Sequence, residues 1–108
     1  MKNTMITELV QIRVAETITG EQLLDKAEAL NGFLVQQDGY IDGTLLKGTG
    51  DNAWCFIFHF ENLEKVKAIG ENLRGSREFA DFKTLLVPGS LAVSFFHPAR
   101  EWQVLRVE

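Results

Sequence analysis

The sequence predicts an α+β fold, a single domain in which segments with strand-type alternation are interleaved with amphipathic helices. Residues 7–15 alternate between two sets of side chains, as a strand with two different faces does. Apolar residues recur at helical spacing after Thr19 and again after Asn62. A chain of 108 residues has the length of one domain. We therefore expect these elements to share one core over residues 1–108.

The first half of the chain is predicted to form strand one, helix one and strand two. Thr19, with Gln22 three residues later, has the pattern of a capping box and predicts the start of helix one. The apolar stripe of this helix comprises Leu23, Ala27, Leu30 and Leu34. The turn dipeptide Asp38-Gly39 follows the helix, and strand two is predicted at 40–47. Gly43 within that strand indicates a bulge or a close backbone approach.

The second half repeats the order of strand, helix and strand. A glycine-containing hairpin loop leads into strand three at 53–60. Asn62 is the predicted N-cap of helix two, whose apolar stripe comprises Leu63, Val66, Ile69 and Leu73. Gly75-Ser76 ends this helix and begins a short third one. Strand four is predicted at 90–96, and the tail at 98–108 alternates as a candidate fifth strand.

The order β-α-β-β-α-β is that of the ferredoxin-like split βαβ unit. It predicts an antiparallel sheet of order 4-1-3-2, with both helices on one face. Strand three is apolar on both of its faces, which comprise Trp54, Phe56, Phe58 and Phe60 on one side and Ala53, Cys55, Ile57 and His59 on the other. The helices can cover only one set, and monomers rarely expose large apolar patches.

We therefore expect a homodimer that packs sheet against sheet around a two-fold axis as a dimeric α/β barrel. The C-terminal tail is expected to reach the partner or to cover an edge strand. The alternative is a monomer whose tail folds over the open face of its own sheet.

Composition excludes several classes of function. The net charge is −4 and no Lys/Arg cluster occurs, which argues against nucleic-acid binding. No segment has the length and apolar content of a membrane span, and the N-terminus has no apolar core of a secretion signal. The single cysteine, Cys55, fits a reducing cytoplasm. No spacing of His and Cys is typical of a metal site.

Two stretches are similar to a known family: FLVQQDGYIDGTLL at 33–46 and ENLRGSREFADF at 71–82. The residues that carry most of this similarity are Gly39, Tyr40, Ser76, Phe79 and Phe82. On them the chain resembles the antibiotic biosynthesis monooxygenase family of dimeric α+β barrels, over roughly residues 7–98.

The resemblance implies a cofactor-independent oxygenase of quinols or anthrones, or a relative of the haem-degrading proteins. Many family members have a histidine where this chain has Asn72-Leu73. The haem-degrading proteins place a tryptophan where this chain has Phe60, and their haem-ligand histidine is missing from 78–86. We therefore expect no haem, and no other cofactor is implied.

Two histidines and one arginine are the candidate polar groups for chemistry. Strands three and four both flank strand one, so His59 and His97 are expected at one end of the sheet, near Glu8. A histidine tuned by a carboxylate can act as a base near neutral pH; the alternative is that both histidines only end strands at the rim. Arg13 is a candidate for holding a substrate anion, or for pairing across the dimer with an acid such as Asp42.

Aromatic side chains are the candidate substrate-binding residues. Trp54 can shape a pocket, and Tyr40 can donate a hydrogen bond. The aromatic pocket wall is predicted to comprise Phe33, Phe79 and Phe82. The alternative for each is ordinary packing in the core or at the rim. Cys55 has no neighbouring base in the sequence and is interpreted as inert.

These observations lead to three hypotheses of function. The first is a cofactor-independent monooxygenase acting on a small aromatic or quinol-type substrate. The second is a non-catalytic dimeric barrel that binds a small apolar ligand. The third is a structural dimer in which large side chains fill the space between helices and sheet.

Overall fold

A computed structural model describes residues 4–50 and 52–103 of the chain. Within these residues the elements are β1 (Ile6–Arg13), α1 (Gly20–Leu34), β2 (Tyr40–Lys47), β3 (Ala53–Phe60), α2 (Leu63–Arg74), α3 (Arg77–Lys83) and β4 (Ala92–Phe96). The predicted bounds of strands two and three are confirmed.

The four strands form one sheet in the order β2-β3-β1-β4, and each neighbouring pair is antiparallel. This confirms the predicted order 4-1-3-2 and the α+β class. β1 and β3 are the central strands, so their side chains have neighbours on both sides. β2 and β4 are the edges.

Cross-strand register determines which side chains share a face. In the central pair, Ile6 lies opposite Phe60, Val10 opposite Phe56 and Ile12 opposite Trp54. These side chains form the helix-facing side of the sheet, and most of them are buried in the core with residues of all three helices. The other side, which we call the open face, carries in its two central strands Thr7, Leu9, Gln11, Arg13, Ala53, Cys55, Ile57 and His59.

Side-chain caps begin each helix, as the sequence predicts. Thr19 and Gln22 form the complete capping box of α1. The Asn62 carboxamide oxygen accepts from the Lys65 backbone N–H at 2.9 Å at the start of α2. The Ser76 hydroxyl oxygen accepts from the Phe79 backbone N–H at 3.1 Å at the start of α3. These contacts satisfy N–H groups that have no partner inside the helix.

Two strand bounds differ from the prediction because backbone groups find other partners. β1 stops at Arg13 rather than at residue 15, since Val14 forms only an isolated bridge with Leu86. β4 begins at Ala92 rather than at residue 90, since the Ser90 N–H closes a turn onto the Val87 carbonyl. Residues 101–103 form no strand. The remainder of the candidate fifth strand lies outside the described residues.

Side chains approach Gly43 closely, where the prediction was a bulge or a close backbone approach. A Cβ atom at this position would lie 2.5 Å from the Tyr40 hydroxyl and 2.7 Å from the Phe58 ring. The bulge lies nearby, where the register of β2 against β3 shifts between Tyr40 and Asp42. The shift keeps Tyr40 on the helix-facing side and puts Asp42 on the open face.

Candidate functional site

A carboxyl group lies among apolar side chains on the helix-facing side. Glu8 is opposite Phe58 on β3 and opposite Phe95 on β4, so the three side chains share this side of the sheet. Glu8 is partly buried. Burial raises the pKa of its carboxyl group from the ordinary 4.5 to about 7, because low polarity disfavours the charged form. Glu8 therefore exists in both protonation states near neutral pH.

The helices cover the helix-facing side unevenly. Over β3 the packing is close, with Phe56 stacked on Phe58 at 5.0 Å and Phe82 of α3 at 5.5 Å from Phe56. Over β4 the same side is open, since Val93 is 45% and Phe95 50% exposed. Glu8, Val93 and Phe95 thus form a partly exposed strip, which we call the β4 strip. It combines one titratable group with apolar surface.

Tyr40 lies at the start of β2, on the far side of Phe58 from Glu8. Its ring packs edge-on against Phe58 at 6.1 Å and against Phe60 at 5.7 Å. Its hydroxyl donates to the Asn31 side-chain oxygen at 3.1 Å. Burial, and next the charge of Asp42, raises the pKa of Tyr40 above its ordinary value. Tyr40 therefore remains a neutral donor near pH 7.

His59 pairs with a carboxylate on the open face. The distance between His59 Nδ1 and Asp42 Oδ1 is 2.6 Å. Both side chains are partly solvent-exposed. A carboxylate at Nδ1 orients the ring and leaves Nε2 for a second partner. The pair is thus a hydrogen-bonded unit on the open face.

The three groups Glu8, His59 and Arg13 are not brought together. The expectation that Glu8 lies near both histidines is wrong for His59, because successive side chains of a strand point to opposite faces and His59 is opposite Thr7. Arg13 shares the open face with His59 but lies six positions further along β1, roughly 20 Å away. His97 follows β4 and is exposed.

The predicted aromatic residues divide between the core and its margins. Phe82 is buried in the core, and Phe33 and Phe79 pack against it. The Lys83 ammonium lies 4.8 Å above the Phe79 ring. Trp54 is on the helix-facing side at the end far from Glu8, with the Lys47 ammonium 5.6 Å from its ring.

Two depressions lie at the end of the sheet where β1 stops. A shallow, open one of about 410 Å³ is lined by residues of all four strands and of their ends. A smaller one of about 120 Å³ lies between Trp54 and the beginning of α1. Neither includes Glu8 or His59.

Residues 4–50 and 52–103 contain no group of three or more His, Cys, Asp or Glu side chains arranged to hold a metal ion. In the same residues no helix has the length and apolar character needed to cross a membrane.

Glu8 is the candidate site residue whose position the sequence reasoning missed. The signal was present, because alternation counted backwards from Val10 and Ile12 places Glu8 on their face. An acid within an apolar stripe indicates a carboxyl group whose pKa is raised by burial. Its two aromatic neighbours could not be inferred, since they depend on cross-strand register.

The chain matches no protein-family model, and it matches no curated protein. It shares its fold with solved structures. The monooxygenase ActVA-Orf6 of Streptomyces coelicolor, solved with the ligand nanaomycin D, is 16% identical at a TM-score of 0.76, over 97% of this chain and 95% of that chain. SnoaB, a cofactor-independent oxygenase from Streptomyces nogalater, is 14% identical at a TM-score of 0.73, over 91% and 96%.

A candidate antibiotic biosynthesis monooxygenase from Caulobacter crescentus is 12% identical at a TM-score of 0.72, over 91% of this chain and 92% of that chain. The fold that the sequence resemblance implies is thereby confirmed. At these identities the likeness concerns the fold, and the chemistry has to be argued from the residues of this chain.

Proposed function

We propose that this chain is a cofactor-independent monooxygenase of the antibiotic biosynthesis type, acting on a small aromatic, quinol-type substrate. The observation that carries the proposal is Glu8, a carboxyl group between Phe58 and Phe95 with a pKa near 7. A general base works best when its pKa lies near the working pH. The adjoining apolar strip offers a surface on which an aromatic ring can bind.

The chemistry needs few protein groups. Ionised Glu8 removes a proton from the substrate hydroxyl or from an acidic ring carbon. The resulting electron-rich carbanion bonds to O2 and, with the proton returned, gives a hydroperoxide at that carbon. Loss of the second hydrogen of the same carbon as a proton breaks the O–O bond, so that one oxygen atom stays in the product as a carbonyl and the other leaves as water. The substrate supplies all four electrons. Val93 and Phe95 offer the exposed apolar surface on which the substrate ring lies beside Glu8. The fold shared with SnoaB and ActVA-Orf6 supports this reaction class.

Oxygen consumption tests the proposal directly. We expect the protein to accelerate O2 uptake with anthrone or with a substituted hydroquinone. Glu8→Gln keeps the shape and removes the base, so the rate should fall about 10²- to 10⁴-fold. The rate of the unchanged protein should fall as the pH drops below about 7, because protonated Glu8 cannot accept a proton.

Glu28→Gln is the matched control, since Glu28 is an exposed glutamate on α1. It should leave the rate unchanged. Oxygen uptake that is equal in Glu8→Gln and in the unchanged protein would remove Glu8 from the mechanism. No uptake with any substrate of the panel would count against the monooxygenase itself.

A second candidate function is a non-catalytic barrel that binds a small apolar ligand. The lack of the helical histidine favours it, whereas the close packing of Phe56, Phe58 and Phe82 favours the third hypothesis, a structural dimer, because these rings occupy space beneath the helices. Asn72, which stands where many members of the resembled family have a histidine, donates to the Gln37 side chain at 2.9 Å. An aromatic ligand that binds tightly without O2 uptake would favour this function.

We also propose that the protein works as a homodimer joined through the open face, in the reducing environment of the cytoplasm. The open face carries Leu9 and Ile57 at its centre, opposite one another. Leu46 is 47% and Phe96 51% exposed, on the β2 and β4 sides of that face. Covering such side chains with a second sheet is favourable by roughly 1.5–3 kcal/mol for each large one. The lone cysteine fits a reducing compartment.

A further inference from the structure

The edge strand β4 is uncovered in the single chain. All five of its residues, Ala92–Phe96, are exposed. Among the described residues only β1 pairs with it, so the outer backbone groups of β4 have no strand partner. A free edge of this kind is a template for a further strand. The apolar part of the uncovered surface is the β4 strip, where Val93 and Phe95 lie beside Glu8.

An apolar group without a covering surface follows β4 in the chain. Residues 99–103 form no helix or strand and are exposed. Trp102 is 82% exposed, more than any other large apolar side chain that the structure describes. Water contact of a whole indole ring is unfavourable. The chain therefore has both an uncovered apolar strip and an uncovered aromatic side chain a few residues beyond it.

The segment after β4 does not fold back onto the strip of its own chain. To do so it would have to turn sharply just after Phe96, where the sequence is HPARE at 97–101. Tight hairpin turns favour Gly, Asn or Asp, and this stretch has none. Pro98 in addition restricts the preceding residue to an extended backbone. An extended exit carries the segment away from its own strip, so that it can reach another copy.

We propose that the segment after Pro98 of each copy adds as a fifth strand to the free edge of β4 in a second copy, where its Trp102 lies over Val93 and Phe95. Residues 99–103 match the number of residues in β4, so both span roughly 17 Å when extended. Main-chain hydrogen bonds along the edge hold an added strand. A two-fold axis makes the exchange reciprocal, since each copy gives one segment and receives one.

The exchange makes the surface beside Glu8 a joint product of two copies. In the single chain, Val93 and Phe95 are open to solvent on this side. The partner's Trp102 supplies the outer wall that the single chain lacks, and a substrate ring would lie between this indole and the strip. The inference rests on the proposed homodimer and does not rest on the oxygenase activity.

Tryptophan fluorescence tests the exchange. The chain has two tryptophans, so Trp54→Phe leaves Trp102 as the only one. The dimer should emit at shorter wavelength than an exposed indole does, and acrylamide should quench it weakly. Dilution to the single-chain mass, followed by light scattering on the same samples, should shift the emission to longer wavelength. Ile57→Asp, which is designed to separate the two sheets, should do the same.

Variants of the strip locate the contact. In the Trp54→Phe background, Val93→Asp puts a carboxylate under the indole. It should give the emission of an exposed tryptophan while the mass remains that of two chains. Leu24→Asp makes the same change on the exposed surface of α1 and should leave the emission unchanged. Phe95→Ser is the second test if circular dichroism shows that Val93→Asp does not fold.

The outcomes separate the exchange from the dimer. A dimer in which Trp102 emits as an exposed residue would overturn the exchange and leave the dimer standing. A monomeric unchanged protein would overturn both. A short-wavelength emission that persists at the mass of one chain would show that the segment covers its own strip, and this would also overturn the exchange.

Discussion

At the scale of single residues, Glu8 is a carboxyl group placed where an apolar side chain would be more stable. Its neighbours in the register, Phe58 and Phe95, are aromatic. An apolar residue at this position of β1 would continue the stripe of Val10 and Ile12 without loss. The carboxyl group instead carries a desolvation cost whenever it is ionised. Such a cost is typical of sites where chemistry needs a group that titrates near neutral pH.

This cost predicts a pH-dependent effect of Glu8→Gln on the free energy of unfolding. Burial raises the pKa of Glu8 in the folded protein from 4.5 to about 7, so the folded state binds the proton more tightly than the unfolded state does. The unchanged protein therefore loses stability, relative to the variant, as the pH rises from about 4.5 to 7. Above pH 7 the variant should be more stable by about 1–3 kcal/mol, allowing for partial solvent screening.

Urea unfolding of both proteins at pH 5 and pH 8 measures this difference. The comparison between the two proteins cancels the titration of the other carboxylates. Glu28→Gln serves as the control, because it makes the same chemical change at an exposed position. A pH-independent gap between Glu8→Gln and the unchanged protein would mean that Glu8 titrates normally.

At the scale of elements, the chain specifies its helices mainly through their first turns. In α1 the Thr19 hydroxyl accepts from the Gln22 N–H at 3.1 Å, and the Gln22 side chain accepts from the Thr19 N–H at 2.8 Å. Thr19→Ala should lower the free energy of unfolding by about 1 kcal/mol. Thr17→Ala, in the exposed turn before the cap, should change it much less. Thermal unfolding followed by circular dichroism measures both, and equal effects would show that the box contributes nothing.

Elements that depend on local sequence were predictable, and those that depend on distant partners were less so. The caps at Thr19 and Asn62 and the bounds of β3 depend on neighbouring residues, so these features were predicted correctly. The end of β1 depends on partners from elsewhere in the chain: the Val14 N–H donates to the Asn52 carbonyl, and Val14 forms an isolated bridge with Leu86. The start of β4 depends on the turn that Ser90 closes. The partners that set the end of β1 and the start of β4 cannot be identified from spacing along the sequence.

The same limit applies to the candidate site. The prediction that His59 lies near Glu8 was wrong. It considered only the end of the sheet at which each residue lies, and not the face to which each side chain points. The face is set by register, and in this pair of strands Glu8 is opposite Phe58 and not opposite His59. Asp42, the partner of His59, reaches the open face only through the bulge after Tyr40.

At the scale of the whole molecule, the sheet has one face covered by helices and one that the single chain leaves open. Leu9 and Ile57 are both only partly buried at the centre of that face, although they lie on the two central strands. A soluble protein gains by covering apolar side chains of this kind. A second copy of the same sheet has the matching size and shape, because a two-fold axis brings identical surfaces together.

The proposed dimer predicts that a charge at the centre of the open face separates the two copies. Ile57→Asp would put a carboxylate into a dry interface, so light scattering after gel filtration should give the mass of one chain, where the unchanged protein gives twice that mass. Leu24→Asp makes the same change on the exposed surface of α1 and should leave the dimer intact. Thr44→Arg, at an exposed position opposite Ile57 on β2, provides a second test if Ile57→Asp does not fold. A monomeric unchanged protein at micromolar concentration would contradict the dimer, and the open face would then be solvent-exposed in the working protein.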